Sequence, residues 1–238
     1  GCATAKQKEE KEKAEKTKNA DWHYKMAAGY FESHKIPMAI RELHKALEMN
    51  PDHYKAHHLL GFIYMGRREY AKAVQHFKES IRLKPEYHYA KNNLGSVYLA
   101  MERWRKAAEI FKQLLDEPLY TTPELAHNNL GWAYFNLRRY DKALEHYKMA
   151  VFLKPQMCLA YNNMGRVHEE RGNILQAKRK YEKAIRKCPK NYAEPHFNLG
   201  KLLQQQGQPG ARAHFQRCLK IQPESNLGAR CRQYLEVR

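Results

Sequence analysis

The sequence lacks an apolar run that approaches the roughly 20 residues of a membrane-spanning helix. It has only four serines in 238 residues, and neither a phosphate-cradling glycine loop nor a two-histidine zinc helix is present. His53 and His57 have metal-compatible helical spacing, but with 13 histidines scattered through the chain a surface pair is expected. We therefore expect no enzyme activity, no catalytic residue, no cofactor and no metal.

Acidic side chains are in the minority. The chain has 43 Lys and Arg against 25 Asp and Glu, and residues 150–238 hold 17 basic and 6 acidic side chains. An excess of basic side chains indicates which partners a protein could bind and says little about its fold. Basic and acidic residues alternate through residues 20–155, and no nucleic-acid motif is present. We expect neither a nucleic-acid partner nor a small-molecule substrate, and lysine-rich solvated helix faces remain an alternative explanation of the charge.

Glycines at nearly constant spacing indicate an internal repeat. They follow Leu or Met and are 34, 36, 34 and 35 residues apart, and Ala27 takes the same place 34 residues before the first. An alanine and, four residues later, a leucine or an aromatic residue recur in each copy, and a proline closes every copy but the third. The glycines are Gly61, Gly95, Gly131, Gly165 and Gly200. Six copies fill residues 20–223.

The period and the order of Gly, Tyr, Ala, aromatic residue and Pro resemble the tetratricopeptide repeat, a helix-turn-helix unit. A small residue at Gly131 lets two helices approach closely, Tyr147 fills the space beside it, and Pro155 stops the second helix. The resemblance implies an all-α fold, a right-handed superhelical solenoid of six repeats over residues 20–223. Residues 224–238 are predicted to form a C-terminal capping helix.

The third copy departs from the pattern. Its closing proline is replaced by a loop over residues 116–123 that is two residues longer than the usual turn. We interpret this loop as a local bend or a contact site.

Residues 1–19 are predicted to be an anchor and a tether. Gly1-Cys2-Ala3 resembles the end of a bacterial lipobox, which implies that Cys2 carries acyl chains such as palmitate and that Ala3 permits export to the outer membrane. An ordinary cysteine after a glycine is the alternative. Residues 6–18 have no apolar side to bury, so we expect a solvated tether that is disordered or transiently helical.

The four other cysteines all lie in the C-terminal third. Cys158 begins the first predicted helix of the fifth copy and Cys188 ends its second, so an antiparallel pair brings them together. Cys218 and Cys231 flank the turn into the capping helix. In an oxidising periplasm two disulfides would close this end of the solenoid. In a reducing cytosol all four would be small buried residues.

Residues three before, one after and four after each glycine share a helix face that lines the concave groove in tetratricopeptide folds. In the first four copies this face is largely apolar, and in the last two it is polar and charged. An exposed apolar strip commonly marks a partner site, although burial against neighbouring repeats is the alternative. The candidate groove residues are Tyr24, Phe31, Phe62, Met65, Leu99, Asn128, Trp132 and Phe135.

Asparagine recurs two residues before the glycine in four successive copies, at Asn93, Asn129, Asn163 and Asn198. An amide can donate to and accept from the backbone of an extended peptide. These residues therefore form a candidate ladder for a bound peptide, with structural pairing between adjacent helices as the alternative.

The combination of a lipobox-like start, a charged tether and six repeats resembles the lipoprotein pilotins of type IV pilus systems. The resemblance implies a lipid-anchored, periplasm-facing outer-membrane protein. It would bind secretin subunits, through a hydrophobic or extended segment, and promote their assembly for pilus biogenesis and motility. The alternative is a cytosolic adaptor or co-chaperone that binds acidic peptide tails.

Overall fold

The computed structural model describes the backbone of residues 2–236 and the side chains of residues 6–236. This part of the chain forms thirteen α-helices and no strand. The helices are α1 (Cys2–Glu32), α2 (Ile36–Met49), α3 (Tyr54–Gly66), α4 (Tyr70–Leu83), α5 (His88–Ala100), α6 (Trp104–Leu115), α7 (Pro123–Asn136), α8 (Tyr140–Leu153), α9 (Cys158–Glu170), α10 (Ile174–Lys187), α11 (Glu194–Gln205), α12 (Ala211–Ile221) and α13 (Asn226–Glu236). The all-α prediction is confirmed.

The helices fall into two compact units, one up to Leu114 and one from Leu115 onward. The first unit contains the helix pairs α1–α2, α3–α4 and α5–α6. The second contains α7–α8, α9–α10 and α11–α12, followed by α13. The boundary falls at the end of α6, immediately before the longer loop that interrupts the sequence pattern. We number the six pairs as repeats one to six.

Helix α1 decides between two alternatives, because the tether that was expected to be disordered or transiently helical is helical. Lysine, glutamate and alanine favour helices, and Glu9 and Glu12 lie four residues before Lys13 and Lys16, the spacing that stabilises an isolated helix. Residues 6–19 are all exposed. They form an arm about 20 Å long at 1.5 Å per residue.

In repeats two to six, the glycine of the first helix meets an aromatic ring of the second helix. A methyl group placed on Gly131 would lie 2.7 Å from the ring of Tyr147, and one on Gly165 would lie 2.5 Å from that of Tyr181. Both tyrosines are fully buried. Only a residue without a side chain permits this approach, so the repeat pattern is explained by packing.

The first helix of every repeat ends on a residue in the left-handed conformation. Glycine takes this place in repeats five and six, at Gly172 and Gly207. The other four repeats use His34, Arg68, Glu102 and Arg138, with φ between 56° and 61°. The next amide then bonds back to the helix, as Arg139 does to the carbonyl of Tyr134 at 2.9 Å. Satisfying the last carbonyls in this way turns the chain into the second helix.

Helix α13 covers repeat six within the second unit. Ser225 precedes it and its hydroxyl accepts a hydrogen bond from the amide of Gly228 at 3.0 Å, a typical N-terminal cap. The ring of Tyr234 stacks on that of Phe215 with centroids 4.7 Å apart. The predicted capping helix thus runs from Asn226 to Glu236, and residues 237–238 lie outside the described part.

No helix among the described residues is both long and apolar enough to span a bilayer.

Candidate interaction groove

In the first unit, the predicted groove residues form an aromatic and aliphatic face. Phe31 of α1 and Phe62 of α3 meet edge to face with their centroids 5.7 Å apart, a favourable arrangement for two rings. Phe62 is 38% exposed. Tyr24, Met65 and Leu99 are partly buried. The rings of Phe31 and Phe62 hold each other in place between repeats one and two, and this face remains partly accessible to a partner.

In the second unit, three side chains form a stacked cluster that we call the aromatic–arginine cluster. The rings of Trp132 and Phe135, both on α7, stack with centroids 5.3 Å apart. The guanidinium of Arg166, on α9, lies 4.5 Å from the Trp132 ring centroid and 5.1 Å from that of Phe135. Within the described residues Arg166 has no carboxylate partner, so its N–H groups are available to a ligand.

Arg166 was assigned from sequence to the polar end of the groove, and its place over the two rings was missed. The available signal was its register: Arg166 follows Gly165 as Trp132 follows Gly131. Equivalent residues of adjacent repeats are neighbours when repeats stack. That register could have predicted the contact.

Asn128 does not belong to the open surface, and its assignment to the groove is corrected. It is 3% exposed. Its side-chain oxygen accepts a hydrogen bond from the amide nitrogen of Asn163 at 3.2 Å, and its own amide nitrogen donates to Asn129 at 3.4 Å. A buried amide requires hydrogen-bond partners, and the side chains of Asn163 and Asn129 are the partners of Asn128.

The predicted asparagine ladder forms structural pairs, which was the alternative explanation. Asn198 donates to the side-chain oxygen of Asn162 at 3.0 Å, in the same way that Asn163 donates to Asn128. Asn93 lies 3.0 Å from Nε2 of His58. Burial lowers the pKa of His58 to about 4, so its imidazole is neutral at pH 7 and Nε2 can accept. Each pair joins a residue two before one glycine to a residue three before the preceding glycine.

The corresponding face of repeats five and six is charged, as predicted. Glu169 accepts a hydrogen bond from the Tyr181 hydroxyl at 2.5 Å and pairs with Lys201 at 3.0 Å. Burial, followed by the Glu169 carboxylate, raises the pKa of Tyr181. A cavity of about 210 Å³ lies here and is lined by Arg166, Glu169, Glu170, Glu194, Phe197, Asn198, Lys201, Leu227 and Arg230. Three acidic and three basic side chains balance its charge.

In repeat four, the hydroxyl of Tyr147 is buried without a hydrogen-bond partner. Tyr147 holds the same place as Tyr181, but Phe135 stands where Tyr181 has Glu169. Repeat four therefore keeps an apolar surface at the expense of an unsatisfied hydroxyl.

The four downstream cysteines are joined in two disulfides in the structure. Cys158 bonds to Cys188 across the end of repeat five, with Cα atoms 5.9 Å apart. Cys218 bonds to Cys231 and ties α12 to α13, with Cα atoms 6.3 Å apart. The side chain of Cys2, the predicted lipidation site, lies outside the described residues.

Three histidine pairs were not foreseen. In repeats two, four and six, a histidine four before the glycine faces one immediately before the aromatic residue of the second helix, with their Nδ1 atoms 3.0 Å apart in each pair. Burial, followed by the neighbouring imidazoles of His57 and His44, lowers the pKa of His76 to about 4. Among the side chains of residues 6–236, no three of His, Cys, Asp or Glu converge as metal ligands. The pairs are His57–His76, His127–His146 and His196–His214.

Family models of the tetratricopeptide repeat match residues 92–157 and residues 54–87 and 158–191. The chain therefore belongs to the tetratricopeptide-repeat proteins. No curated protein matches it significantly by sequence.

Several solved structures share the fold. One is PilW, described as a widely conserved type IV pilus biogenesis factor, with a TM-score of 0.77, 20% identity and coverage of 89% of this chain and 97% of PilW. Pseudomonas aeruginosa PilF has a TM-score of 0.72 and 16% identity, with coverage of 92% and 99%. MamA from Desulfovibrio magneticus RS-1 has a TM-score of 0.66 and 18% identity, with coverage of 71% and 94%. At these identities the likeness concerns the fold.

Proposed function

We propose that the protein is a type IV pilus biogenesis factor of the pilotin kind, similar to the Tgl protein of gliding bacteria. It binds secretin subunits and promotes their assembly at the outer membrane, to which acylated Cys2 anchors it. Its role is binding, without catalysis. Two partly exposed aromatic surfaces carry the proposal, Phe31 with Phe62 in the first unit and the aromatic–arginine cluster in the second. The likeness to PilW and PilF over almost the whole of each chain supports it.

The groove chemistry indicates what kind of segment would bind. Phe62 and the stacked rings of Trp132 and Phe135 offer apolar contact, which stabilises a complex by removing apolar area from water. Arg166 supplies N–H donors beside the rings, suited to a main-chain carbonyl or a carboxylate. We therefore propose that a secretin segment in an extended conformation places apolar side chains on the rings of Trp132 and Phe135, and that Phe62 offers a second apolar contact on the first unit. The asparagine pairs support the floor of the groove instead of contacting the peptide.

The anchor proposal rests on Gly1-Cys2-Ala3 and on the exposed helical arm that follows. An acylated Cys2 would hold the repeats off the membrane by about the length of the arm, roughly 20 Å. The two disulfides support export, because disulfides persist in oxidising compartments and are rare in the cytosol.

A pull-down with the periplasmic part of the secretin tests the groove. The variant Phe62→Ala with Trp132→Ala should retain less than about a tenth of the binding, since each unit loses one aromatic contact. The matched control is Leu119→Ala, which removes an 81% exposed side chain from a loop and should leave binding unchanged. Equal binding by the double variant and the control would refute the groove assignment.

Mass spectrometry of the protein from its native cell tests the anchor separately. We expect acylated Cys2 in the outer-membrane fraction. An unacylated Cys2 in a cytosolic fraction, with free thiols at the other cysteines, would favour the cytosolic adaptor.

A further inference from the structure

The outer sides of α10 and α12, in the second unit, carry an excess of basic side chains that the proposed function does not use. Helix α10 has six lysines and arginines against Glu182 alone, and α12 has three against no acidic residue. The two helices are neighbours, because Lys178 donates to the side chain of Gln208 at 3.2 Å and Arg217 donates to the carbonyl of Pro189 at 3.0 Å. We call this surface the α10–α12 face. Its basic residues are Lys178, Arg179, Lys180, Lys183, Arg186, Lys187, Arg212, Arg217 and Lys220.

The α10–α12 face points away from the first helices of its repeats. On α10, Tyr181 is fully buried and its ring packs on Gly165 of α9. Arg179 and Arg186 are exposed and seven residues apart, so they lie on one line of the helix, about 10 Å from each other. On α12, Lys220 is exposed. The side of these helices that does not pack is therefore open to solvent and basic.

The unpaired charge is a property of these residues and is not required by the repeat. On α4, the equivalent of α10 in repeat two, Arg82 pairs with Glu79 at 2.6 Å. Repeat five keeps the arginine as Arg186 but has Lys183 in place of the glutamate, and Lys183 lies 4.7 Å from the ring centroid of Tyr161. No basic residue of α10 has an ion pair among the described residues.

An exposed leucine lies beside the two arginines. Leu175 is 60% exposed and comes four residues before Arg179, which places it on the same side of α10. Both aromatic residues of α10 and α12, Tyr181 and Phe215, are buried, so neither ring is open to a nucleic-acid base. The face thus combines unpaired cations with one apolar side chain.

We propose that the α10–α12 face binds the surface of a membrane that contains anionic phospholipids. Arg179, Arg186 and Lys220 pair with phosphate groups, and Leu175 enters the boundary between headgroups and acyl chains. A membrane uses both features of the face, whereas a nucleic acid would use the cations alone.

The choice of a membrane rests on the proposed function, because a protein anchored through Cys2 always has a lipid surface within reach. A basic surface adds a second attachment to the acyl chains. It also determines which side of the second unit faces the lipid. The aromatic–arginine cluster lies on α7 and α9, away from this side, and stays open to a secretin segment.

Vesicle sedimentation of the full chain with Cys2→Ser, which cannot carry an acyl chain at this position, tests the proposal. The protein should bind vesicles of phosphatidylethanolamine with phosphatidylglycerol and should not bind vesicles of phosphatidylcholine. Raising NaCl from about 0.1 M to about 0.5 M should release it, because salt screens the pairing of charges. Equal binding to both kinds of vesicle would overturn the proposal.

Two matched double variants separate a local site from total charge. Arg179→Gln with Arg186→Gln should weaken binding to the anionic vesicles roughly twentyfold, at about fivefold for each cation. The control, Arg103→Gln with Arg105→Gln, removes the same charge from exposed residues of the first unit and should weaken binding less than about threefold. All four side chains are exposed, so both variants should fold. Equal losses would overturn the proposal, because total charge would then explain the binding.

The leucine is tested by Leu175→Asn, which should weaken vesicle binding about threefold. Equal binding of this variant and the unmodified chain would contradict its insertion into the membrane. Duplex DNA and polyglutamate serve as other polyanions, and tighter binding to either at the same concentration of negative charge would assign the face to that partner instead. Neither an acyl chain nor a secretin takes part in these assays, so their failure is distinguishable from a failure of the proposed function.

Discussion

Repeats four and five close the ends of their helix pairs with different chemistry at equivalent positions. Seven residues before the glycine and 23 after it, repeat four has Glu124 and Lys154, and repeat five has Cys158 and Cys188. The first two form an ion pair at 3.8 Å, and the second two a disulfide. In repeat two the same positions hold Tyr54 with Lys84 at 5.0 Å above its ring. The repeat geometry thus brings the start of the first helix close to the end of the second helix. The residues at these two positions decide how stable the contact between them is.

The comparison extends to the first helices. Gly131 and Gly165 make the same contact with a tyrosine ring. The groove face of the same helix nevertheless carries Trp132 and Phe135 in repeat four and Arg166 and Glu169 in repeat five. Residues that all copies share explain packing. Residues that differ between copies with the same packing are the better candidates for function.

The largest expected effect is the loss of the disulfide in repeat five. Replacing Cys158 and Cys188 with serine should lower the free energy of unfolding by about 3 kcal/mol, since the bond closes a loop of 30 residues. Glu124→Gln in repeat four should cost less than about 1 kcal/mol, because Lys154 is exposed. Urea denaturation compares the two. Equal losses of unfolding free energy would mean that the disulfide stabilises its repeat no more than the ion pair does.

Next in size is the substitution of the packing glycines. Gly131→Ala and Gly165→Ala should each lose about 2 kcal/mol, because the new methyl group would meet a fully buried ring. Gly29→Ala, in a helix with nothing within 4 Å of the new methyl group, should gain up to about 1 kcal/mol. Thermal denaturation measures the stability change of all three variants. A gain at Gly131 or Gly165 would contradict the packing explanation.

Acid should destabilise the histidine pairs, which repeat five lacks because Tyr161 and Lys180 take their places. Burial, then His214 and Arg217, lowers the pKa of His196 from 6.5 to about 4. The unfolded chain then binds more protons between these values, so the contribution is complete above about pH 6.5 and is lost as the pH falls toward 4. At pH 5 the loss should be about 1 to 2 kcal/mol.

The variant His196→Gln checks this pH dependence. Its unfolding free energy should change less between pH 7 and pH 5 than that of the unmodified protein. Parallel pH profiles would rule out a role for His196.

The smallest effects should have opposite signs in the two repeats. Tyr181→Phe removes the hydrogen bond to Glu169 and should cost about 1 kcal/mol. Tyr147→Phe removes a buried hydroxyl without a partner and should be neutral or stabilising by up to about 1 kcal/mol. Both are measured by urea denaturation. A loss for Tyr147→Phe as large as that for Tyr181→Phe would indicate a bound water at the Tyr147 hydroxyl.

The helix pairs and the small and aromatic residues that pack between them could be predicted from the sequence, because they depend on contacts within one repeat at fixed spacing. It also predicted which groove residues are aromatic. It did not predict the burial of Asn128 or the position of Arg166, because both depend on contacts between repeats. For the tether the sequence left a disordered and a helical state open, because the stability of this helix comes from local charge spacing in place of an apolar face.

The most direct test of the groove follows the emission of Trp132 in the variant Trp22→Phe with Trp104→Phe, which leaves it as the single tryptophan. Trp132 is partly buried and stacked with Phe135 and Arg166. A secretin segment that covers this cluster should shift its emission to shorter wavelength and protect it from iodide quenching, with a midpoint equal to the binding constant from an independent titration. Unchanged emission and quenching at saturating secretin would contradict the account.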